Sequence, residues 1–150
     1  MKKLILTESQ EQANFVSEVR YQYRNDPTFI PPLFFSTLNG AWLGGKSFAM
    51  WEKHKKEGAV RGVSDILYLQ SRGGYSFFAI EMKRSDRRNQ KDGGLTESES
   101  EWIETARANN GFVSVCYTAD EALREFSIYM KGLIYFANPS FFVSAASFDE

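Results

Sequence analysis

Asp65, Glu81 and Lys83 are the residues whose types and spacing suit chemistry on a phosphate. Residues 62–69 read as a β-strand with an acid near its start, Arg72-Gly73-Gly74 as a turn, and 75–83 as the hairpin partner. Side chains two apart on a strand share a face, so Glu81 and Lys83 project together. In a hairpin the end of one strand lies beside the start of the other, which brings Glu81 close to Asp65. Two carboxylates, completed by water and phosphate oxygens, make a hard oxygen-only site suited to Mg²⁺ or Mn²⁺, and the ammonium can meet the same phosphate. Acids at strand ends are common and strand charges are usually just solvated. The signal is that all three charges fall at one end of an otherwise apolar hairpin.

The elements that must position this hairpin can be read along the chain. Thr7 with Gln10 forms a capping-box pattern that opens a helix over 8–25, with Gln12, Phe15, Val16, Val19 and Tyr23 on its core face and Asn25-Asp26-Pro27 at its end. Residues 33–37 read as a short strand, Asn39-Gly40 as a turn, and 46–57 as a helix between Gly44-Gly45 and Gly58. The polar, basic, glycine-ended stretch 84–94 reads as a mobile loop. Thr96 with Glu99 opens a helix to 109 that turns Trp102, Ile103 and Ala106 inward. Residues 112–117 form a buried strand, and Thr118 with Glu121 begins a last helix using Ala122, Leu123, Phe126 and Met130. The order α, β, α, β, β, α, β, α predicts an α/β fold, a mixed β-sheet flanked by helices. The tail 131–150 is apolar, with Ile134, Tyr135, Phe136, Phe141, Phe142 and Val143, and is expected to pack on the core or on a second subunit.

Length and composition set the outer bounds. The 150 residues suffice for one domain with a real core, and thirteen Phe make it aromatic-rich. No apolar run reaches the roughly 18 residues of a membrane span, and the N-terminal apolar stretch is too short for a secretory signal. Cys116 is the single cysteine and His54 the single histidine, which argues against a disulfide or a thiolate zinc site and for a reducing, cytoplasmic setting. The net charge of −1 hides an asymmetry: residues 51–91 carry ten Lys/Arg against five Asp/Glu, and the remainder eight against fourteen. The basic block, Lys53, Lys55, Lys56, Arg61, Arg72, Lys83, Arg84, Arg87, Arg88 and Lys91, flanks the candidate site in sequence and suits a phosphate backbone; a charged loop kept for solubility is the plainer reading.

Taken together, the motifs resemble the VRR-NUC family within the PD-(D/E)XK, or restriction-endonuclease-like, superfamily. The matching stretches are 7–12, Asn39-Gly40, 58–65 ending on Ser64-Asp65, Ile80-Glu81-Met82-Lys83, 95–102 through Trp102, and 111–116 leading into 119–122. They span roughly residues 7–130, and their order and spacing carry the likeness where no single motif does. The resemblance implies one nuclease domain over 1–150, metal held by Asp65, Glu81 and the Met82 backbone, and Lys83 as the catalytic lysine. It places the first-helix acid on Glu8, with Glu11 as the other register, and puts Glu99 where the family usually has Gln. Glu8 can equally be a first-turn acid favoured by the helix dipole. Glu99 can be an additional ligand or simply the partner of Thr96 in the cap. Ser64 stands where the family has Pro, a change that removes a backbone restraint but no chemistry.

On that resemblance the expected activity is Mg²⁺- or Mn²⁺-dependent hydrolysis of DNA phosphodiesters. Arg84, Arg87, Arg88 and Lys91 would hold the backbone on one side and Lys55, Lys56 and Arg61 on the other. No base-reading motif is present, so recognition by DNA shape is expected, and small bacterial and phage members of the family are associated with homodimers acting on branched DNA such as Holliday junctions. A DNA-binding module that keeps the fold without cutting is the alternative, because a charged Glu99 can disturb the metal site.

Overall fold

The structure, a computed structural model, describes residues 5–37 and 48–132. Four helices and four strands follow in the expected order: α1 (Glu8–Gln22), β1 (Phe34–Ser36), α2 (Phe48–Lys56), β2 (Ile66–Tyr68), β3 (Phe77–Met82), α3 (Glu97–Ala108), β4 (Gly111–Cys116) and α4 (Ala119–Lys131). The strands form one sheet ordered β1-β2-β3-β4, with β1–β2 and β2–β3 antiparallel and β3–β4 parallel. The parallel pair requires a crossover, and α3 supplies it. Asn39-Gly40, the Gly44-Gly45 start of the second helix and residues 133–150 of the tail lie outside the described residues.

β3 is central and buried on both faces, which explains its continuous apolar run Phe77–Ile80. Its even residues Phe78, Ile80 and Met82 join the larger core with α1 and α4; Ala79 joins a smaller one under α3 with Ile103, Ala106 and Val113. Phe126 of α4 centres the larger core, meeting the rings of Phe15, Tyr23, Phe29, Phe34, Tyr68 and Phe78 at centroid distances of 5.2 to 6.2 Å. Such edge-on contacts add to the area term of aromatic burial. Ala122, Phe126, Tyr129 and Met130 recur at helical spacing along one face of α4, and Gly132 ends the helix at φ 64°, a left-handed conformation that glycine adopts without strain.

Three expectations about the elements need correction. The strand read over 62–69 is only Ile66–Tyr68, because Gly62 sits in a turn at φ 77° and the chain reaches β2 through a bend at Asp65. The first helix stops at Gln22 rather than 25, because the Asp26 carboxylate accepts hydrogen bonds from the Thr28 N–H at 2.8 Å and its hydroxyl at 2.7 Å, an Asx turn that outcompetes further helix. The stretch 84–94, read as a mobile loop, carries two 3₁₀ turns, Ser85–Arg87 and Lys91–Gly94. It is pinned by the Tyr117 hydroxyl donating to the Gly93 carbonyl at 2.8 Å and by Arg88, which pairs with Glu121 and lies 4.4 Å over the Tyr117 ring.

Gly62 ties the approach to β2 onto α3. Its φ is +77°, and a Cβ there would stand 2.1 Å from the Ser98 carbonyl oxygen and 2.7 Å from the Glu99 nitrogen, backbone atoms that cannot yield cheaply. Gly62→Ala should therefore destabilise the protein by about 2 kcal/mol or more, measured by calorimetric melting, through both the dihedral and the clash. A shift under about 0.5 kcal/mol would show that the loop does not rest on the helix start.

Candidate active site

The site forms where the β2–β3 pairing ends. The register Ile66↔Ile80 extends to place Asp65 opposite Glu81 and Ser64 opposite Met82. Odd residues of β3 face α3, so Glu81 and Lys83 point to the same side as Asp65. The two strands separate here: the Met82 N–H, which a continued ladder would direct at residue 64, donates instead to Asp65 Oδ2 at 2.7 Å. In an antiparallel pair the N–H and C=O of one residue face the same neighbour, so the Met82 carbonyl faces the same gap. Thr37 holds the other side, its hydroxyl donating to the Ser64 carbonyl at 2.9 Å and its N–H to the Asp65 carbonyl at 3.0 Å. These bonds supply backbone restraint at Ser64 and Asp65.

Glu81 and Lys83 are buried, with exposures of 3% and 6%. Lys83 Nζ lies 3.0 Å from Glu81 Oε1 and 2.9 Å from Glu99 Oε2. The same Glu99 oxygen accepts the Thr96 N–H at 2.8 Å, completing the capping box, so Glu99 is a helix cap and a Lys83 partner at once. Glu81 Oε2 is buried and has no hydrogen-bond partner among the described residues, and the same holds for Ser64 Oγ. A buried carboxylate oxygen left without a donor is costly, and Asp65 is near enough for its charge to act on Glu81.

The electrostatics follow from this crowding. Burial, with the neighbouring Asp65 charge, pushes Glu81 up to about 8. Burial also raises Asp65, against the opposing pull of the Met82 N–H and the Lys83 ammonium. For Lys83 burial favours the neutral amine, but the Glu81 and Glu99 carboxylates outweigh it and hold the proton more firmly than usual. Glu99 goes the other way: burial is overcome by the Thr96 N–H and by Lys83, so it stays ionised. Lys83 and Glu99 thus form the charged pair, and Glu81 is the acid short of positive charge.

The structure sorts the remaining sequence candidates. Glu8 reaches the site's rim, accepting the Arg84 N–H at 3.3 Å with Arg87 4.0 Å away. Glu11 is turned to the start of α4, where it accepts the Ala119 N–H at 2.8 Å. Arg84 pairs with Asp86 at 2.7 Å, and Arg84, Arg87 and Lys91 are exposed just past Lys83. Lys55 and Lys56 are exposed on the last turn of α2, while Arg61 stacks 4.6 Å over Trp51. Arg88 is committed to Glu121 and Tyr117.

Arg72, counted with the basic block, does not flank the site. It sits at the far end of the hairpin, bonded to the Met130 carbonyl at 2.6 Å, the Thr28 carbonyl at 2.9 Å and Gln70 at 3.0 Å. Arg72→Ala should lower the melting temperature and leave the salt dependence of DNA binding unchanged. Arg87→Ala and Lys91→Ala should each reduce the log–log salt slope by about 1. Fluorescence anisotropy at several salt concentrations separates them, and equal slopes for all three would remove the loop from the interface.

No protein-family model and no curated protein matches the sequence. Among solved structures, a VRR_NUC domain protein matches with a TM-score of 0.63 and 20% identity, covering 86% of this chain and 92% of that one. The mixed four-stranded sheet with flanking helices is therefore the fold of a VRR_NUC domain protein, running over most of both chains. Among the described residues no helix is long and apolar enough to cross a membrane.

Proposed function

We propose that this chain is a divalent-cation-dependent nuclease that hydrolyses DNA phosphodiesters, with Asp65, Glu81 and the Met82 carbonyl as the cation's ligands and Lys83 as the catalytic lysine that stabilises charge developing on the reacting phosphate. The observation that carries the reading is the buried, partnerless Glu81 Oε2 opposite Asp65, with the Lys83 ammonium 3.0 Å from the other Glu81 oxygen. The fold shared with a VRR_NUC domain protein supports it.

The donor set fits Mg²⁺ or Mn²⁺. It is all oxygen, it is short of positive charge, and it includes a buried carboxylate oxygen that no other described residue satisfies. Among the described residues no three Asp, Glu, His or Cys side chains close around one point. The protein thus offers a half-shell, which suits a cation that keeps waters and binds phosphate oxygens. When bound, the cation polarises a phosphoryl oxygen and makes a water easier to deprotonate.

The chain's own groups do the rest. Asp65 is oriented by the Met82 N–H, and Glu81 by Lys83. The Lys83 ammonium, kept protonated by two carboxylates, is placed to stabilise negative charge developing on the phosphorus-bound oxygens, as an electrostatic donor that needs no reorganisation. Arg84, Arg87 and Lys91 on one side and Lys55 and Lys56 on the other hold the phosphate backbone without reading bases. The sequence carries no base-reading motif, so selection is by DNA shape, and a homodimer acting on branched DNA such as a Holliday junction is the form this takes. Labelled four-way, three-way, flap and linear DNAs incubated with Mg²⁺, Mn²⁺ or EDTA test it. Cation-dependent cutting of branched substrates is expected; equal cutting in EDTA, or none on any DNA, overturns the reading.

A further inference from the structure

We infer that Glu99 is a positioning residue that acts through Lys83: its carboxylate is the standing counter-ion for the Lys83 ammonium when a divalent cation neutralises Glu81. The inference rests on the reading of Asp65 and Glu81 as the cation site. Lys83 is 6% exposed, so water cannot take over its solvation. Its two acidic partners among the described residues are Glu81 at 3.0 Å and Glu99 at 2.9 Å. A cation on Glu81 Oε2, the oxygen without a hydrogen-bond partner among the described residues, would neutralise the acid that faces Lys83 at its other oxygen and add repulsion beside the ammonium. A buried charge stripped of its partner is strongly destabilising, so a second acid already in place favours cation uptake.

Glu99 is built for that and not for ligation. Its Oε2 is held by the Thr96 N–H at 2.8 Å, and the Gly62 backbone packs against the same helix start. The side chain is thereby fixed at its own helix end with its oxygen presented to Lys83. One oxygen makes both contacts, so Glu99→Gln can preserve both hydrogen bonds while removing only the charge. An amide there would leave Lys83 neutralised by Glu81 alone, in direct competition with the cation.

The test is calorimetric titration of the full chain with MnCl₂ in the absence of DNA, at one pH, for wild type, Glu99→Gln, Lys83→Met and the double variant. Glu99→Gln should weaken Mn²⁺ binding about tenfold. Lys83→Met should not weaken it, and adding Glu99→Gln to Lys83→Met should change nothing further, because the residue through which Glu99 acts is gone. Thr96→Ala, which loses the hydroxyl half of the cap and keeps the carboxylate, should lower stability and leave Mn²⁺ affinity alone. The inference falls if Glu99→Gln binds like wild type, if its effect is equally large without Lys83, or if Thr96→Ala weakens binding as much. In those cases wild type still binds Mn²⁺ and the nuclease reading stands; a wild-type chain that takes up no Mn²⁺ overturns both.

Discussion

Lys83→Ala should lower DNA cleavage by about 10²–10³-fold while duplex affinity stays within about twofold. The asymmetry follows from where the residue sits. Its ammonium is buried between Glu81 and Glu99, so it adds little to a field that attracts a DNA backbone, which on the proposed reading comes from the exposed Arg84, Arg87, Lys91, Lys55 and Lys56. On the proposed reading its position beside the Glu81 carboxylate would make it the donor nearest the developing charge. Lys83→Arg should not restore activity, because a planar guanidinium does not fit the space of a point charge that is 6% exposed. Single-turnover cleavage and anisotropy on the same branched DNA measure the two quantities. Cleavage that survives the alanine change would remove Lys83 from the chemistry. Binding without cutting in the wild type would favour the DNA-binding module that keeps the fold.

The convergence of Asp65, Glu81 and Lys83 was legible because strand alternation and hairpin geometry are local rules. Once residues 75–83 read as a strand, the shared face of Glu81 and Lys83 follows, and the pairing of Asp65 with Glu81 needs only the register. Capping boxes at Thr7 and Thr96 were legible for the same reason, since each is closed within four residues. Glu99 marks where such rules stop. Its local partner Thr96 is visible in sequence, but its contact with Lys83 depends on α3 crossing the sheet to face β3, a tertiary fact. The reading of Glu99 as a helix cap was incomplete for that reason.

Charge counting failed for a different reason. Arg72 belongs to the basic block in sequence but lies on the hairpin turn, a strand's length from the site, and its guanidinium is spent on two backbone carbonyls. The topology already held this signal: a residue on the turn cannot flank the open end of the same hairpin. Arg88 is less readable, because Glu121 and Tyr117 lie about 30 residues away and nothing local announces them. The basic loop likewise looked featureless in composition, yet Tyr117 holds it through a carbonyl at Gly93. Long-range anchoring of loops is not encoded in their own polarity.

The second large effect concerns pH. Glu81 titrates at about 8 in the folded, cation-free protein against 4.5 as the ordinary value, with burial as the main cause and Asp65 as the next. Between those values the folded chain holds a proton that the unfolded chain has released, so the folded state binds more protons and its stability must fall as pH rises. Asp65, also raised by burial, contributes with the same sign. Glu99 and Glu121, held below their ordinary range, stabilise with the opposite sign, but their contribution is already complete above that range and does not cancel the fall. The melting temperature measured in EDTA should therefore decline from about pH 5 to about pH 8, by at most about 1.4 kcal/mol of stability per unit for one proton. Mn²⁺ should reverse the decline, most strongly at the alkaline end, because a cation replaces the proton on Glu81 and its apparent affinity rises with pH until that acid is ionised. Glu81→Gln should flatten the EDTA profile and abolish the Mn²⁺ shift together. A wild-type stability that climbs through this pH window, with the glutamine variant tracking it, would mean that Glu81 is not the proton-holding acid and that the gap beside Asp65 does not await a cation.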